Sequence, residues 1–499
     1  MSTELLRLQG AQTDGRTANV RYRQDQLQSL HAGLCLRAED LCTAVAKDTG
    51  CTATEASMEF YTAMEGLRLH YDGLNFEREL KNEYSVVDDP ENANPNLSLG
   101  VGLVYIIPSN ISPLNAAMAP LTAAIASGNC VALELQPTLR TLPALLGAVL
   151  LDALDNDTFA ICKSRPDDLS MLKNGTLVDQ TSSEAIIDGS VRVLKSPSES
   201  RTVAIVDRTA DLDRAAKALV TARFSFCGRS YYAPDLVLVN EFIKKPFLEA
   251  VLREALPYLD DHEGQESPHR DISSLKKRMT QAAADGMADI LSLGSRGSIV
   301  DIKSRSSWLL EGKVNLPILA ILSVTSLEDA IDYSNLAKDY HPVTGRPYLA
   351  SYVFANASTA KYLAQFINAQ ESFLNGIPPL LLVAPPKPLG GKLPQSPSQA
   401  YSPSMFQVLR QIHGTRQSAV GLSGFIEESS SKLIRVARNE LLDAALQPLR
   451  QTGQAFQARE VGFFEQGILT GLVVFGGPVI IVFVGGAFAG ARYLYKLLR

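Results

Sequence analysis

The sequence predicts an α/β protein with mostly parallel sheets, and three features of the chain support that fold class. Short apolar runs rich in β-branched residues recur along it, each with a length that suits a buried strand. Stretches with the apolar spacing of amphipathic helices lie between these runs. Since 46% of the 499 residues are hydrophobic and 20% are charged, the chain can build the cores of two or three domains and is not expected to be disordered.

The predicted elements follow one another in a regular order. The first 85 residues are predicted to be helical, and a turn-rich loop at 88–98 ends this part of the chain. The predicted strands are VGLVYIIP (101–108), CVALEL (130–135), EAIID (184–188), TVAIVD (202–207), DLVLV (235–239) and LASYVF (349–354). Helices are predicted between several of them, at 116–127, 211–222 and 244–255. Strands that alternate with helices indicate two parallel sheets.

Charge and cysteine usage exclude several classes of partner and site. The formal net charge is −6, so a nucleic acid is not an expected partner. The six cysteines lack CxxC spacing and are expected to be free thiols in a reducing compartment. The six histidines are dispersed and form no HExxH pattern. We therefore predict no metal site.

The C-terminal segment 467–491 contains no charged residue. As a helix, its roughly 37 Å would exceed the ~30 Å hydrocarbon core of a bilayer. We predict a single-pass membrane anchor here, with a buried core helix as the alternative. The N-terminus lacks the apolar region of a secretory signal. The main body is therefore expected to face the cytosol, with the endoplasmic reticulum as the expected membrane.

The segment 101–131, VGLVYIIPSNISPLNAAMAPLTAAIASGNCV, resembles the aldehyde dehydrogenase superfamily. Further blocks match this family in the expected order: DRTADLDRAA (207–216), YAPDLVLV (232–239), SLEDAIDYSN (326–335), SYVFAN (351–356) and PLGG (388–391). The resemblance covers most of residues 12–415. It is closest to the class 3 branch, which includes membrane-anchored fatty aldehyde dehydrogenases and fungal apocarotenal-oxidising members.

The resemblance implies a division of the chain into five parts. These are a Rossmann-type dinucleotide-binding domain with a degraded phosphate loop (1–207), an α/β catalytic-type domain (208–390), an oligomerisation arm (391–415), a helical connector (416–466) and the transmembrane anchor (467–491). The arm implies a homo- or hetero-oligomer. The family reaction needs a cysteine nucleophile, an asparagine at the oxyanion, a glutamate base and NAD or NADP.

A tyrosine stands at the nucleophile position that the resemblance implies. The family reads Gly-Gln-x-Cys-x-Ala-Pro-Asp, and this chain reads GRSYYAPD at 228–235, which aligns Tyr231 with the thiol. A phenol with a pKa of about 10 is protonated at neutral pH and cannot form a thioester. Cys227, four residues upstream, is a candidate substitute nucleophile, and an inert packed cysteine is the alternative.

The other catalytic positions are altered to different degrees. Asn110 matches the oxyanion asparagine, but SNISP (109–113) has one residue more than the family's Trp-Asn-Tyr-Pro. A loop asparagine that caps the next helix is the alternative. The family's glutamate block aligns with PSESRTV (197–203), which places Pro197 at the base position. Glu199 lies two residues away, a displacement of roughly 6–7 Å in an extended chain.

The cofactor-binding positions are also altered. Gly189 and Ser190 match the start of the family's Gly-Ser-Thr-x-x-Gly loop, but Leu194 replaces its last glycine and the following helix is missing. Glu134 replaces a lysine after the second strand, and Lys313 replaces a ribose-binding glutamate. The last two changes are either a charge-swapped pair or two independent losses. We expect NAD or NADP to bind weakly or not at all.

We therefore predict a membrane-anchored, catalytically impaired family member with an accessory or scaffolding role. The type of relative points to fungal specialised metabolism of terpenoids, carotenoids or lipids. One alternative is an active NAD(P)-dependent oxidoreductase that converts a lipophilic aldehyde to its carboxylic acid. The other alternative is a protein that binds an apolar ligand without turnover.

Overall fold

The computed structural model describes most of the chain up to residue 411 and three short segments beyond it. The described residues are 3–83, 96–165, 172, 175–181, 191–259, 279–281, 283–294, 297–310, 312–336, 347–388, 396–411, 439, 442–447 and 468–473. The chain divides into two compact units, Met1–Gly414 and Thr415–Arg499. Within the residues described, no helix is both long and apolar enough to cross a bilayer. The predicted strand 184–188, nearly all of the predicted connector and most of the predicted anchor lie outside these residues.

The helices described in the first unit are α1 (Thr3–Asp14), α2 (Val20–Leu36), α3 (Ala38–Thr49), α4 (Ala53–Asp72), α5 (Phe76–Glu83), α6 (Pro113–Ala126), α7 (Thr141–Ala153), α8 (Leu212–Phe224), α9 (Lys244–Leu259), α10 (Leu327–Leu336) and α11 (Ala357–Phe366). The strands are β1 (Asn96–Gly100), β2 (Leu103–Ile107), β3 (Cys130–Glu134), β4 (Phe159–Cys162), β5 (Thr176–Asp179), β6 (Arg192–Lys195), β7 (Thr202–Val206), β8 (Leu236–Asn240), β9 (Ala288–Leu293), β10 (Ser298–Ile302), β11 (Ile318–Val324), β12 (Tyr348–Phe354), β13 (Ala369–Leu374) and β14 (Gln407–Gln411).

Local sequence signals explain the turn between α3 and α4. Helix α3 ends at Thr49 and is followed by Gly50, which adopts a left-handed conformation that a residue without a Cβ tolerates. Helix α4 begins with a capping box, in which the Thr52 hydroxyl accepts from the Glu55 amide and the Glu55 carboxylate accepts from the Thr52 amide. This short turn contacts the loop that carries Cys227.

Five of the described strands form a first sheet in the order β4-β3-β2-β5-β6, with every pairing parallel. Chain order therefore runs outward from β2 in one direction and then resumes at β5 in the other. A doubly wound sheet of this kind leaves a crevice at the carboxyl ends of the two strands where the order reverses. The switch point lies between β2 and β5.

The remaining described strands form a larger sheet and a small ribbon. The second sheet has the order β13-β12-β7-β8-β11-β10-β9, and within it only the pairing of β9 with β10 is antiparallel. Strands β1 and β14 pair antiparallel as a separate ribbon. These sheets confirm the predicted α/β class with mostly parallel strands. Strand β14 falls within the arm predicted at 391–415, while the predicted domain limits stay a prediction.

The central strand β2 of the first sheet is buried on both faces because it is apolar throughout. In β2, Leu103, Tyr105 and Ile107 point to the side where α1 packs, while Val104 and Ile106 join the core formed with α2, α4 and α6. Alternate residues of a strand face opposite sides, so a continuous apolar run suits a strand with helices on both sides.

Candidate active site

An open cleft of about 300 Å³ lies at the carboxyl ends of β2, β3 and β5. Its walls include Asn110 after β2, Glu134 and Gln136 at the end of β3, Arg140 before α7, and Thr181 after β5. The cleft therefore occupies the topological switch point, where doubly wound sheets bind ligands. Its volume is at the lower end of the range of small-molecule sites.

Glu134 is the buried carboxylate of the cleft wall. It accepts hydrogen bonds from the Tyr105 hydroxyl at 3.2 Å and from the Gln136 side-chain amide at 3.1 Å. Burial raises the pKa of Tyr105, so the phenol stays protonated and donates this bond. Arg140, which is exposed on the same cleft, supplies a positive charge nearby.

The N-terminus of α7 borders this cleft but is already capped. The Asp48 carboxylate accepts from the amides of Thr141 and Leu142, at 3.0 and 2.7 Å. Amides at a helix N-terminus are suited to hold an anion such as a phosphate. Here a side chain of the protein occupies two of them, so this helix end is not available to a ligand.

Tyr231, at the predicted nucleophile position, is buried and engaged. Its hydroxyl lies 2.6 Å from the Ser109 hydroxyl. Burial raises the pKa of Tyr231, and the negative charge of Glu199 raises it further. The hydrogen bond to Ser109 lowers the pKa and offsets part of this rise. The phenol is therefore protonated at neutral pH and held by a hydrogen bond rather than free to attack a carbonyl carbon.

The Ser109–Tyr231 pair belongs to a larger buried network. The Ser109 amide donates to the Gln180 side-chain oxygen at 3.0 Å, and the Gln180 amide group donates to the Tyr401 hydroxyl at 3.1 Å. Tyr401 also shares a 3.1 Å bond with the Ser196 hydroxyl, which donates to the carbonyl of Pro386. The network joins loops of both sheets, and each of its polar groups strengthens its neighbours in the dry interior.

Asn110 and Ser109 lie in different environments. Asn110 is exposed and lines the cleft, whereas Ser109 contacts Tyr231. The chain reaches α6 through Ser112, whose φ of 48° is left-handed. This turn lies in the segment that is one residue longer than the family's motif. The resemblance predicts that Ser109 and Tyr231 stand where the family has a large Trp and a small Cys, and in this structure the two side chains touch.

Cys227 faces a different part of the molecule. Phe226 and Cys227 both have left-handed backbone conformations, with φ of 51° and 56°. The Cys227 thiol donates to the carbonyl of Gly50 at 3.5 Å, and the Phe226 amide donates to the Glu55 carboxylate at 2.6 Å. The thiol is thus held against the α3–α4 turn, while the Tyr231 hydroxyl is held against Ser109.

The remaining predicted residues are spread over separate places. The Lys313 ammonium donates to the carbonyl of Tyr231 at 2.7 Å and to the Asp235 carboxylate at 3.2 Å, whereas Glu134 bonds to Tyr105 and Gln136. Glu199 is exposed on the loop between β6 and β7. Gly189 and Ser190 lie outside the described residues. Among the predicted residues that the structure describes, only Asn110 and Glu134 line the cleft.

No family model matches the chain, but curated relatives do. It is 26% identical to aldehyde dehydrogenase family 3 member B1 of Homo sapiens over 383 residues, which cover 71% of this chain and 78% of the relative. It is 25% identical to member B3 of Mus musculus over 365 residues, 66% of this chain and 73% of the relative. It is 23% identical to 4,4'-diaponeurosporen-aldehyde dehydrogenase of Staphylococcus aureus over 348 residues, 64% and 74% of the two chains.

Solved structures show the same fold. The substrate-bound AldH of Staphylococcus aureus superposes with a TM-score of 0.66 at 16% identity, over 88% of this chain and 98% of that one. The NADP complex of the glyceraldehyde-3-phosphate dehydrogenase GapN from Methanocaldococcus jannaschii gives 0.63 at 16% identity, over 82% and 92%. The chain belongs to the aldehyde dehydrogenase superfamily. Its class 3 homologues lie at about 25% identity.

Sequence reasoning on this aldehyde dehydrogenase homologue missed most of the buried network. Ser109, Gln180, Ser196 and Tyr401 come from four distant segments and carry no motif that joins them. One signal was present in the sequence. In the alignment that the resemblance implies, Ser109 and Tyr231 reverse the sizes of the family's Trp and Cys, and such paired changes favour contact between the two positions.

Proposed function

We propose that this chain is a catalytically impaired member of the aldehyde dehydrogenase superfamily. The observation that supports this most is the 2.6 Å contact between the hydroxyls of Tyr231 and Ser109. It fills the position of the family's thiolate with a buried, protonated phenol. Thioester formation needs a sulfur nucleophile within reach of the carbonyl carbon. Loss of that group removes the covalent route on which the family reaction depends.

We propose NAD as the ligand of the cleft, bound more weakly than in active relatives. Two structural neighbours are named as complexes with NADP or NAP, which supports a nicotinamide dinucleotide. In an active dehydrogenase the bound dinucleotide accepts hydride from the substrate. The Glu134 carboxylate fits a ribose hydroxyl donor and opposes a 2′-phosphate, and Arg140 supplies a cation. Asp48 already caps the N-terminus of α7, and Lys313 already donates to the carbonyl of Tyr231. We therefore expect neither the α7 amides nor the Lys313 ammonium to contribute to dinucleotide affinity.

The test of impaired catalysis is intact-protein mass spectrometry. The full-length chain is incubated with dodecanal and NAD⁺, quenched in acid and compared with the Tyr231→Cys variant. We expect no acyl adduct on the natural chain. An acyl adduct on Cys227 would contradict the proposal, and an adduct on the variant alone would show that the missing thiol is the limiting loss.

A second candidate function is aldehyde oxidation by a relocated nucleophile. It is favoured by the left-handed backbone of Phe226 and Cys227, since strained non-glycine residues cluster at functional sites. The substrate would be a lipophilic aldehyde, by analogy with the diaponeurosporen aldehyde in the name of the Staphylococcus aureus relative. Loss of dinucleotide reduction in Cys227→Ala, with Tyr231→Phe unaffected, would support this function.

We propose an accessory role at a membrane surface for the impaired protein. The apolar segment 467–491 supports a C-terminal anchor, and the endoplasmic reticulum is the proposed membrane. The predicted arm supports a homo- or hetero-oligomer, and the fungal metabolic setting is proposed on the sequence resemblance alone. Cross-linking followed by size-exclusion chromatography tests the assembly. Recovery of monomers alone would count against a scaffolding role.

A further inference from the structure

A cluster of buried cations lies at the amino ends of strands in the second sheet. Arg201 precedes β7, Lys313 precedes β11, and Arg223 extends from α8, all around Asp235 at the start of β8. Arg201 is 8% exposed, Arg223 is 0% exposed and Asp235 is 1% exposed, and the Lys313 side chain is 2% exposed. Charged side chains at this degree of burial need compensating partners.

The cluster carries more positive than negative charge. Asp235 accepts from Arg223 at 3.3 Å and from Lys313 at 3.2 Å, so a single carboxylate serves two cations. Counted over the described residues alone, the three cations and one anion leave a formal charge of +2. Burial lowers the pKa of Lys313, and the positive charges of Arg223 and Arg201 lower it further. The carboxylate of Asp235 raises this pKa and offsets part of the change. Arg201 has no carboxylate partner among the residues that the structure describes.

The guanidinium of Arg201 presents an unused pair of donors. Its Nη1 donates to the carbonyl of Leu310 at 2.6 Å, whereas Nε and Nη2 are buried without a partner in the described chain. These two N–H groups lie on one edge of the planar guanidinium and point the same way. Ser307, whose carbonyl accepts from the Leu310 amide at 2.9 Å, has a buried hydroxyl that also lacks a described partner.

We propose that Arg201 binds the carboxylate of a small ligand through the paired N–H groups of Nε and Nη2. A carboxylate has two coplanar oxygens at the spacing of this edge, which allows a bidentate bond. Its negative charge also compensates the excess positive charge of the cluster. A water molecule would satisfy the donors but leave that charge unbalanced. The site does not involve the cleft or Tyr231's hydroxyl, and it stands whether or not the protein oxidises aldehydes.

The test measures the thermal unfolding midpoint of the full-length chain while sodium acetate replaces sodium chloride at constant ionic strength. We expect a saturable rise of about 1–2 °C at ten times the dissociation constant. Arg201→Lys keeps the charge but removes the fork, so the rise should disappear. Arg192→Lys changes an exposed arginine on β6 and should leave the rise intact.

Equal acetate responses in the natural chain and in Arg201→Lys would overturn the proposal, as would the absence of any saturable response. Octanoate separates two sources of the carboxylate. A shift at lower concentration than acetate assigns a fatty acid, and equal potency assigns a short acid. If Arg201→Lys does not fold, the ¹³C line width of carboxyl-labelled acetate gives a second measurement on the natural chain. No saturable broadening would then reject the site.

Discussion

The cleft at the first sheet and the surroundings of Tyr231 adjoin each other, yet they differ in what they retain. The cleft is open, and its walls carry the polar side chains of Asn110, Glu134 and Arg140 among apolar ones. The Tyr231 region is closed, and its phenol is bonded to Ser109 in a buried network. The cleft follows from strand order, which many sequences can encode. The family reaction depends on one thiol, and we propose that Tyr231 stands at its position and leaves this region a packed core without that chemistry.

Ser109 stands at the boundary between the two regions. Its amide bonds to Gln180, which follows β5 at the switch point, and its hydroxyl bonds to Tyr231. Ser109 therefore links the cleft wall to the Tyr231 region through two hydrogen bonds. Variants that loosen one region can be used to ask whether the other responds.

The largest expected effect on stability comes from the buried cluster in which Asp235 pairs with Arg223 and Lys313. Asp235→Asn leaves Arg223 and Lys313 buried without their carboxylate, and we expect a loss of about 3–5 kcal/mol in the free energy of unfolding. Urea denaturation measures it. Asp213→Asn, which removes an exposed pair with Arg253, is the matched control and should change stability by less than about 0.5 kcal/mol. Equal effects of the two changes would show that the region is not a closed core.

The second effect is a pH dependence near the start of α6, where Glu59 accepts from the amides of Leu114 and Asn115. Burial raises the pKa of Glu59 to about 7, so the folded state holds its proton more tightly than the unfolded state. Its contribution is present at low pH and is lost as pH rises from about 4.5 through about 7. Glu59→Gln should gain roughly 2–3 kcal/mol relative to the natural chain between pH 5 and pH 8.

The same titration has a built-in control. Burial lowers the pKa of His70 to about 4, which gives a pH dependence of opposite sign, but this contribution cancels when variant and natural chain are compared. Glu65→Gln, a half-buried change on the same helix, is the matched variant. A constant difference between Glu59→Gln and the natural chain at all pH values would contradict the assigned cause.

The third effect tests the exchange of size between Ser109 and Tyr231. Ser109→Trp restores the family residue against a bulky phenol, and we expect a loss of about 1–3 kcal/mol from overpacking. Ser109→Trp combined with Tyr231→Cys should recover part of that loss, because the two side chains are in contact. Chemical denaturation of the double-mutant cycle measures the coupling, and strict additivity would show that the exchange is incidental.

The smallest effect concerns the cleft alone. Glu134→Gln removes the charge that opposes a 2′-phosphate, so NADP⁺ affinity should rise about tenfold relative to NAD⁺. Calorimetric titration of both dinucleotides measures the ratio. Asp152→Asn, an exposed change on α7, is the control. An unchanged ratio would place the adenosine ribose away from Glu134.

The sequence predicted five of the buried strands, but it missed the seven-residue apolar strand β11 as well as the short strands. Strands β2, β3, β7, β8 and β12 are mostly apolar, and they lie where the sequence predicted strands. Strands β4, β5 and β6 have four residues each, too few for a periodic signal, and the edge strand β13 mixes polar and apolar residues. Their place in a sheet is decided by tertiary pairing, which single-sequence patterns do not contain.

The candidate site also contains residues that the sequence predicts and residues that only the folded structure reveals. Tyr231 and Asn110 could be found from motifs, because each stands in a recognisable block. The partners of Tyr231 and Lys313 could not, since Ser109 and Asp235 lie far from them in sequence and meet them only after folding. Which way the Asn110 loop points depends on the left-handed turn at Ser112, which residue spacing does not predict.

The most direct test of the central claim is the rate of NAD⁺ reduction by the full-length chain with dodecanal at saturating dinucleotide. Because removal of a covalent nucleophile lowers turnover by several orders of magnitude, we predict a rate at least about 10³-fold below that of an active class 3 relative. Turnover comparable to that relative, abolished by Cys227→Ala and preserved by Tyr231→Phe, would contradict the account and assign the reaction to Cys227.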